Sequence, residues 1–452
     1  MRLKSLTITW FAMSFASCFG QSPSPVSPDV NLPLLDQPVA QVDESRNDSS
    51  WLTPEPQSFN AGYDRGFFVE SEDLDKLPFR LKVNLQSQFR YTGFDRTERE
   101  WIDSSGERLP IANRNDFDIN RGRIIFSGFA IEEDLNYYIN LDYGTLGDAN
   151  VTILMAWWNY RFSRAFDFHV GKGKVPGGRE WLSSSMNTMS PDRSLATTFF
   201  RPSITTGVWA TGEPIDELYY HAGVGNGFNT SSSGFRDLDT NFVYAGNIWW
   251  EPLGEFGGLY SDLPHRDRLA TRFGGSFTTS RQSGRQLDNT QPEESFIRLS
   301  DGTDLTRDDA LASGTRVTDY TIYLATLDAG MKYQGLSLHG EYFFRWLTDI
   351  EGTGPLVLAR ESIFDHGLHL QAGTFIIPRY LELYTRSSFI KGPQGGGQEY
   401  AVGFNHFFRG AENWRFGCDV TYLNDSPAEQ IRTGYEAGAS GFLVRGQLQT
   451  VF

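Results

Sequence analysis

The sequence predicts an all-β fold, a transmembrane antiparallel β-barrel of about sixteen strands, and three observations predict it. The last thirteen residues alternate: Phe442, Val444, Leu448 and Phe452 share one parity while Arg445, Gln447 and Gln449 share the other, the pattern of a strand with one apolar and one wet face. The run Phe79–Tyr91 does the same, with Phe79, Leu81, Val83, Leu85, Phe89 and Tyr91 opposite Arg80, Lys82, Asn84, Gln86, Gln88 and Arg90. A soluble sandwich strand is seldom so long, whereas a tilted strand needs about ten such residues to cross the hydrocarbon layer. The third observation is the spacing of the candidate strands, in which long gaps alternate with tight ones.

The elements follow in chain order. Met1-Arg2-Leu3-Lys4 and the uncharged run Ser5–Gly20 form a secretory signal peptide over residues 1–20, with cleavage after Cys18 or Gly20. Phe15-Ala16-Ser17-Cys18 also resembles a degenerate lipoprotein site, in which Cys18 would be lipidated. Residues 21–61 are rich in Pro, Ser, Asp and Asn and form a disordered acidic periplasmic leader. The barrel spans 62–452, with strands at 79–94, 117–131, 134–145, 149–162, 166–174, 201–211, 217–228, 241–253, 267–279, 320–332, 336–348, 366–377, 380–390, 398–408, 414–424 and 440–452. Long gaps fall at 95–116, 175–200, 229–240, 280–319, 349–365 and 425–439, and tight ones at 132–133, 163–165, 333–335 and 378–379. The gap 254–266 breaks the alternation.

A final strand ending on an aromatic residue is typical of bacterial outer-membrane barrels, so the expected address is the bacterial outer membrane, with its lipid as one partner. No stretch after the signal is apolar enough for a membrane helix, so strands must do the crossing. Aromatics near strand ends, among them Tyr137, Tyr143, Tyr342, Trp346, Phe407, Phe408, Trp414 and Tyr422, would form interfacial girdles. Trp157-Trp158 and Trp249-Trp250 cannot both face lipid. Cys418 lies on the lipid-facing parity and is the sole cysteine of the body, which excludes an intramolecular disulfide there.

The net charge of −16 is concentrated in 21–78, 280–319, 349–365 and 425–439, leaving the remaining body close to neutral, and it argues against a nucleic-acid partner. The lumenal parity carries Arg80, Lys82, Arg90, Arg121, Arg123, Arg268, Arg272, Arg345, Arg386 and Arg445 against few acids, chiefly Asp142, Glu341 and Glu382. That wall would favour anions. The long third loop adds Lys172, Lys174, Arg179, Arg193 and Arg201 among flexible glycines. Enzyme motifs are lacking: Gly223-Val-Gly-Asn-Gly227 has no nucleotide-binding context, and His366 and His369 point to opposite faces of a strand, so neither a catalytic residue nor a metal or cofactor is assigned.

Four runs, Gly62-Tyr-Asp-Arg-Gly-Phe-Phe68, Phe79-Arg-Leu-Lys-Val83, Asp118-Ile-Asn-Arg-Gly-Arg-Ile-Ile-Phe-Ser-Gly128 and Val170-Gly-Lys-Gly-Lys-Val-Pro176, occur in the order of the phosphate-selective porin O and P family, which the chain resembles from about residue 62 to its end. The resemblance implies a sixteen-stranded anion porin, usually a homotrimer, in which an inward-folded basic third loop and lumenal Arg and Lys select phosphate or polyphosphate. Under it Arg121 and Arg123 match two positions of a basic second-strand motif, and Lys172–Pro176 match the start of the constriction loop. Lys82, Arg121, Arg123, Lys172, Lys174, Arg179, Arg193 and Arg201 thus become the anion-binding candidates. Asn120-Arg121 replaces the family's adjacent arginines, and Gly177-Gly178 replaces an aromatic after the loop proline, which weakens phosphate specificity more than anion preference. The alternatives are a barrel of structural, adhesive or hydrolytic function and a secreted carbohydrate-binding β protein, the latter suited by 14% aromatic residues.

Overall fold

A computed structural model describes residues 57–146, 151–228, 241–283, 296–354 and 362–452. The signal segment, the leader up to residue 56, the loop 229–240 and parts of the loops 280–319 and 349–365 lie outside the described residues.

The chain forms β1 (Phe59–Tyr63), β2 (Phe67–Ser71), β3 (Phe79–Arg96), β4 (Glu100–Ile102), β5 (Arg108–Pro110), β6 (Arg114–Ala130), β7 (Glu132–Asp142), β8 (Thr152–Ser163), β9 (Phe166–Lys174) and β10 (Ile204–Ile215). It continues with β11 (Leu218–Gly225), β12 (Val243–Trp250), β13 (Ala270–Ser283), β14 (Arg316–Tyr333), β15 (Leu336–Thr353), β16 (Ile363–Ile377), β17 (Leu381–Gly392), β18 (Gly395–Phe407), β19 (Trp414–Asn424) and β20 (Gly441–Val451). β3 and β6–β20 pair antiparallel in sequence order, and β20 returns to β3, so sixteen strands close a barrel with no free edge. β4 and β5 form a small hairpin of their own in the first long loop.

The side-chain alternation that identified the strands also orients them. On β3 Phe89 is exposed while Gln88, Arg90, Thr92 and Phe94 are buried, and β16–β20 keep the same two-faced pattern. Trp158 and Trp250 face outward, while Trp157 and Trp249 turn inward onto Tyr138 and Tyr219. Cys418 keeps the outward parity of Val420. Phe407 departs from the expected girdle: it is fully buried inside, against Phe375 and Leu263. His366 stacks on Tyr342 outside, whereas His369 is buried inside near Glu180.

Two parts of the architecture differ from the sequence expectation. First, the strand β1 begins inside the segment read as leader, and β1–β2 forms a hairpin whose β2 pairs with the start of β3. There it takes up the edge that β20 leaves when the chain ends, and Phe452 closes the seam through both backbone bonds to Leu85 (2.9 and 2.6 Å). Second, the gap 254–266 is no surface turn. Phe256, Tyr260, Asp262 and Leu263 are buried, Lys332 Nζ donates to the carbonyls of Phe256 (3.0 Å) and Leu259, and Ser261 donates to Glu382 (2.7 Å). This connection folds into the barrel from the short-turn end, which explains why it breaks the alternation of loop lengths.

At the long-loop end the interior is apolar. Phe199, Phe200, Tyr320, Ile322, Leu324, Phe343, Leu347, Ile390 and Leu443 belong to one buried cluster. Removing each such side chain from water contributes roughly 1.5–3 kcal/mol. Strands buried on both faces read as continuous apolar runs, as in Tyr342-Phe-Phe344.

Candidate functional site

The segment 175–203 between β9 and β10 crosses the barrel interior, as the resemblance implied. It contains two short helices, α1 (Arg179–Leu182) and α2 (Leu195–Phe200). Ser194 caps α2 through Thr197 N, and the same Ser194 donates from its amide and hydroxyl to Glu180 Oε2 (3.0 and 2.7 Å), tying the two helices together. The start of α2 is bonded to the wall, with Leu195 N donating to Glu399 (2.8 Å) and Ala196 N to Ser388 (3.0 Å). Wall side chains reach the segment's carbonyls from many strands: Thr278 to Pro176 O, Asn247 to Gly177 O, Gln88 to Ser185 O, Gln449 to Met186 O, Arg415 to Thr188 O and Asn405 to Met189 O. A buried backbone must find partners, and here the barrel wall supplies them.

Asp192 is the ionic anchor. Arg121 donates to it at 2.7 and 3.1 Å and Arg90 lies at 2.9 Å, all three being buried. Burial opposes the charged carboxylate, but Arg121 and Arg90 outweigh it and hold Asp192 well below the usual carboxylate range. Glu180 is lowered likewise: burial opposes this, and His369, Arg386, Thr197 and Ser194 overcome it. Arg121 reaches Asp192 because of a bulge. The pairing of β3 with β6 slips between Gln88 and Phe89, leaving Asn120 extra, so Asp118 and Asn120 point inward on one side of it and Arg121 and Arg123 on the other.

The sequence-derived site residues divide into three groups. Lys174, Arg193 and Arg201 converge on the Trp181 ring at 4.9, 5.0 and 4.4 Å, with Lys174 Nζ also donating to the carbonyls of Trp181, Leu182 and Ser183. Arg179 stands apart over Phe256 (4.8 Å) and Tyr260 (4.4 Å), where the segment meets the inward turn, and Tyr260 N donates to Asn187 O there (2.9 Å). Lys172 donates to Ile153 O (3.0 Å), and Lys82 and Arg80 lie near the β1–β2 hairpin, facing Asp64 and Glu70.

The second group is a correction. Arg345, Arg386 and Arg445 are fully buried and paired with Asp365, Glu399 and Asp419, Arg123 faces Asp142 (3.5 Å), and Arg272 sits between Glu251 and Asp328 (3.4 and 3.3 Å). Among the described residues the wall therefore carries acids beyond the three expected, and these pairs offset the one-sided positive bias read from the sequence. Asp365 and Asp419 sit directly across from Arg345 and Arg445 in the strand register, a cross-strand relation invisible until the register is known. Arg268 forms a third case: it is exposed and precedes β13, so it does not line the lumen.

Sequence reasoning missed Arg432. From the inward-turned loop 425–439 it bonds Asp142 at 2.9 and 2.6 Å, and its carbonyl accepts from Asn120 (2.8 Å). The loop sits in an acidic stretch, and a lone Arg within it gave no signal. What remains of the passage lies along β7–β12, where inward side chains such as Trp157, Trp209, Tyr219 and Trp249 stay half-buried while those of β15–β20 are sealed.

A closed sixteen-stranded barrel with a segment folded across its lumen is the architecture of an outer-membrane porin. The model for the phosphate-selective porin O and P family matches residues 94–298, the same family whose motifs the chain resembles. Among solved structures, Salmonella typhi OmpF in complex with daunomycin shares 13% identity at a TM-score of 0.51, covering 87% of this chain and 100% of its own, a likeness of fold. Pseudomonas putida OprB (9% identity, TM-score 0.49, covering 84% and 95%) and in-vitro folded Vibrio cholerae OmpT (13%, 0.48, 82% and 97%) are further matches. Comparison with curated proteins gives no match. Family and fold point to a channel rather than an enzyme.

Proposed function

We propose that this porin passes small anions, with phosphate or polyphosphate as the preferred solute, and that it works as a homotrimer in the outer membrane. The observation that carries the reading is the convergence of Lys174, Arg193 and Arg201 on Trp181 within the lumen segment. Arg193 and Arg201 are buried, so they would act on the passage through their field in a medium of low dielectric rather than by contact. Lys174 is half-buried and would meet the ion more closely. On this reading selectivity is set around Trp181, where the three cations meet.

Single-channel currents in planar bilayers test this. Chloride current that added phosphate blocks is the expected result. Preference for cations would contradict the anion reading, and absence of phosphate block would remove the phosphate part alone.

A further inference from the structure

The paired tryptophans of the sequence resolve into a feature that anion passage does not use. Inward rings run around the wall on consecutive strands: Tyr138 on β7 stacks with Trp157 on β8 (4.1 Å, 15°), Trp157 meets Trp209 on β10 edge-on (5.8 Å), and Tyr219 on β11 stacks with Trp249 on β12 (5.3 Å, 16°). His169 on β9 stacks with Trp209 (5.3 Å, 11°). Gly173 gives the Trp209 ring its room: a Cβ there would lie 2.8 Å from Trp209 Cη2 and 3.0 Å from Cζ2. Strand glycines that admit a neighbouring ring mark a wall built for the rings.

Polar groups flank the rings. Asn159 Nδ2 donates to both Asp167 oxygens (2.8 and 3.1 Å), and His169 Nε2 pairs with Thr211 Oγ1 (3.1 Å). Next to them a cavity of about 470 Å³ is lined by Arg161, Arg164, Asp167, Glu213, Tyr219 and Trp249, among others. That volume suits one or two sugar rings.

We propose that this wall is a binding track for uncharged pyranose sugars, independent of the anion reading. The C–H face of a pyranose packs on an aromatic ring while its equatorial hydroxyls bond to carboxylate, amide and hydroxyl groups beside it. Arg164 pairs with Glu213 and Arg161 faces Asp167, so the charges of the lining are balanced and it offers no net attraction to an ion of either sign. A wholly apolar solute would take these charged and polar groups out of water without offering them a hydrogen bond. A neutral ring with hydroxyls meets both demands.

Calorimetry on the detergent-solubilised full barrel tests the proposal with glucose, maltotriose and cellotriose as probes and acyclic mannitol as the control. At least one cyclic sugar binds with a millimolar Kd, mannitol does not, and Trp209→Ala/Trp249→Ala weakens binding at least about tenfold, whereas Trp209→Phe/Trp249→Phe stays within a few-fold. Heat-modifiable migration checks that each variant folds, and Asp167→Asn, which leaves the rings in place, must also weaken binding should the alanine pair fail to fold. No binding by any of the three cyclic sugars overturns the proposal, as does binding that both the alanine pair and Asp167→Asn leave unchanged. Reversal potentials of the two tryptophan variants, which change no charge, should equal that of the wild type, so failure here is distinguishable from failure of the anion reading.

Discussion

Arg121 and Asp192 form a bidentate ion pair inside the barrel, with Nη1–Oδ2 at 2.7 Å and Nη2–Oδ1 at 3.1 Å, joining the second barrel strand to the segment that crosses the lumen. Removing one partner of a buried pair leaves an uncompensated charge and costs about 3–5 kcal/mol. Asp192→Asn would remove the carboxylate that neutralises both Arg121 and Arg90. The expected outcome is a barrel that still migrates as a folded species but whose segment 175–203 becomes cleavable by protease. A segment as resistant as in the wild type would show that the backbone bonds hold it alone.

The pH dependence of that anchor has a definite sign. Because the folded pKa of Asp192 is depressed, its contribution is fully present above the unfolded value of about 3.9 and is lost only as pH falls through the much lower folded value. Glu180 behaves in the same sense. Protease resistance of the segment should therefore persist from neutral pH down to about pH 4. Release near pH 6 would contradict the assignment.

Gly178 stands where the segment passes β15. A Cβ there would fall 1.7 Å from Glu341 Oε1, while Glu341 Oε2 accepts from Glu180 N at 3.1 Å. Gly178→Ala should push α1 off the wall at a cost of roughly 1–3 kcal/mol, the usual range for overpacking. Denaturant midpoints of the wild type and the variant would read the difference, and equal midpoints would refute the contact.

Phe452 closes the barrel with two backbone bonds to Leu85. Deleting it removes both and leaves part of β3 unpaired between β20 and β2. The fraction of heat-modifiable barrel recovered from membranes should fall. Phe452→Ala, which keeps the backbone, should lose less.

All sixteen barrel strands were legible because each carries a two-residue period over most of its length, and β9 and β19 fall on the residues expected, Phe166–Lys174 and Trp414–Asn424. The lumen was less legible. Parity tells which face Arg445 occupies, but only the register puts Asp419 across from it. The inward turn left one trace, a connection too long for its side of the barrel that carries Phe256, Tyr260 and Leu263. The apolar interior left another in Tyr320–Leu324, where both parities hold apolar side chains and an alternating pattern was not to be expected. Of the eight anion-site candidates, three meet at Trp181, because the end of β9 and the loop that follows it supply them all and short-range sequence suffices to find them.

The central claim is that the cations gathered on Trp181 set the selectivity of the channel. Reversal potential in a potassium chloride gradient, wild type against Lys174→Gln/Arg201→Gln, tests it most directly once heat-modifiable migration has shown both to be folded. The account predicts an anion-selective wild type and a variant whose reversal potential moves most of the way to zero. A variant with the selectivity of the wild type would contradict it.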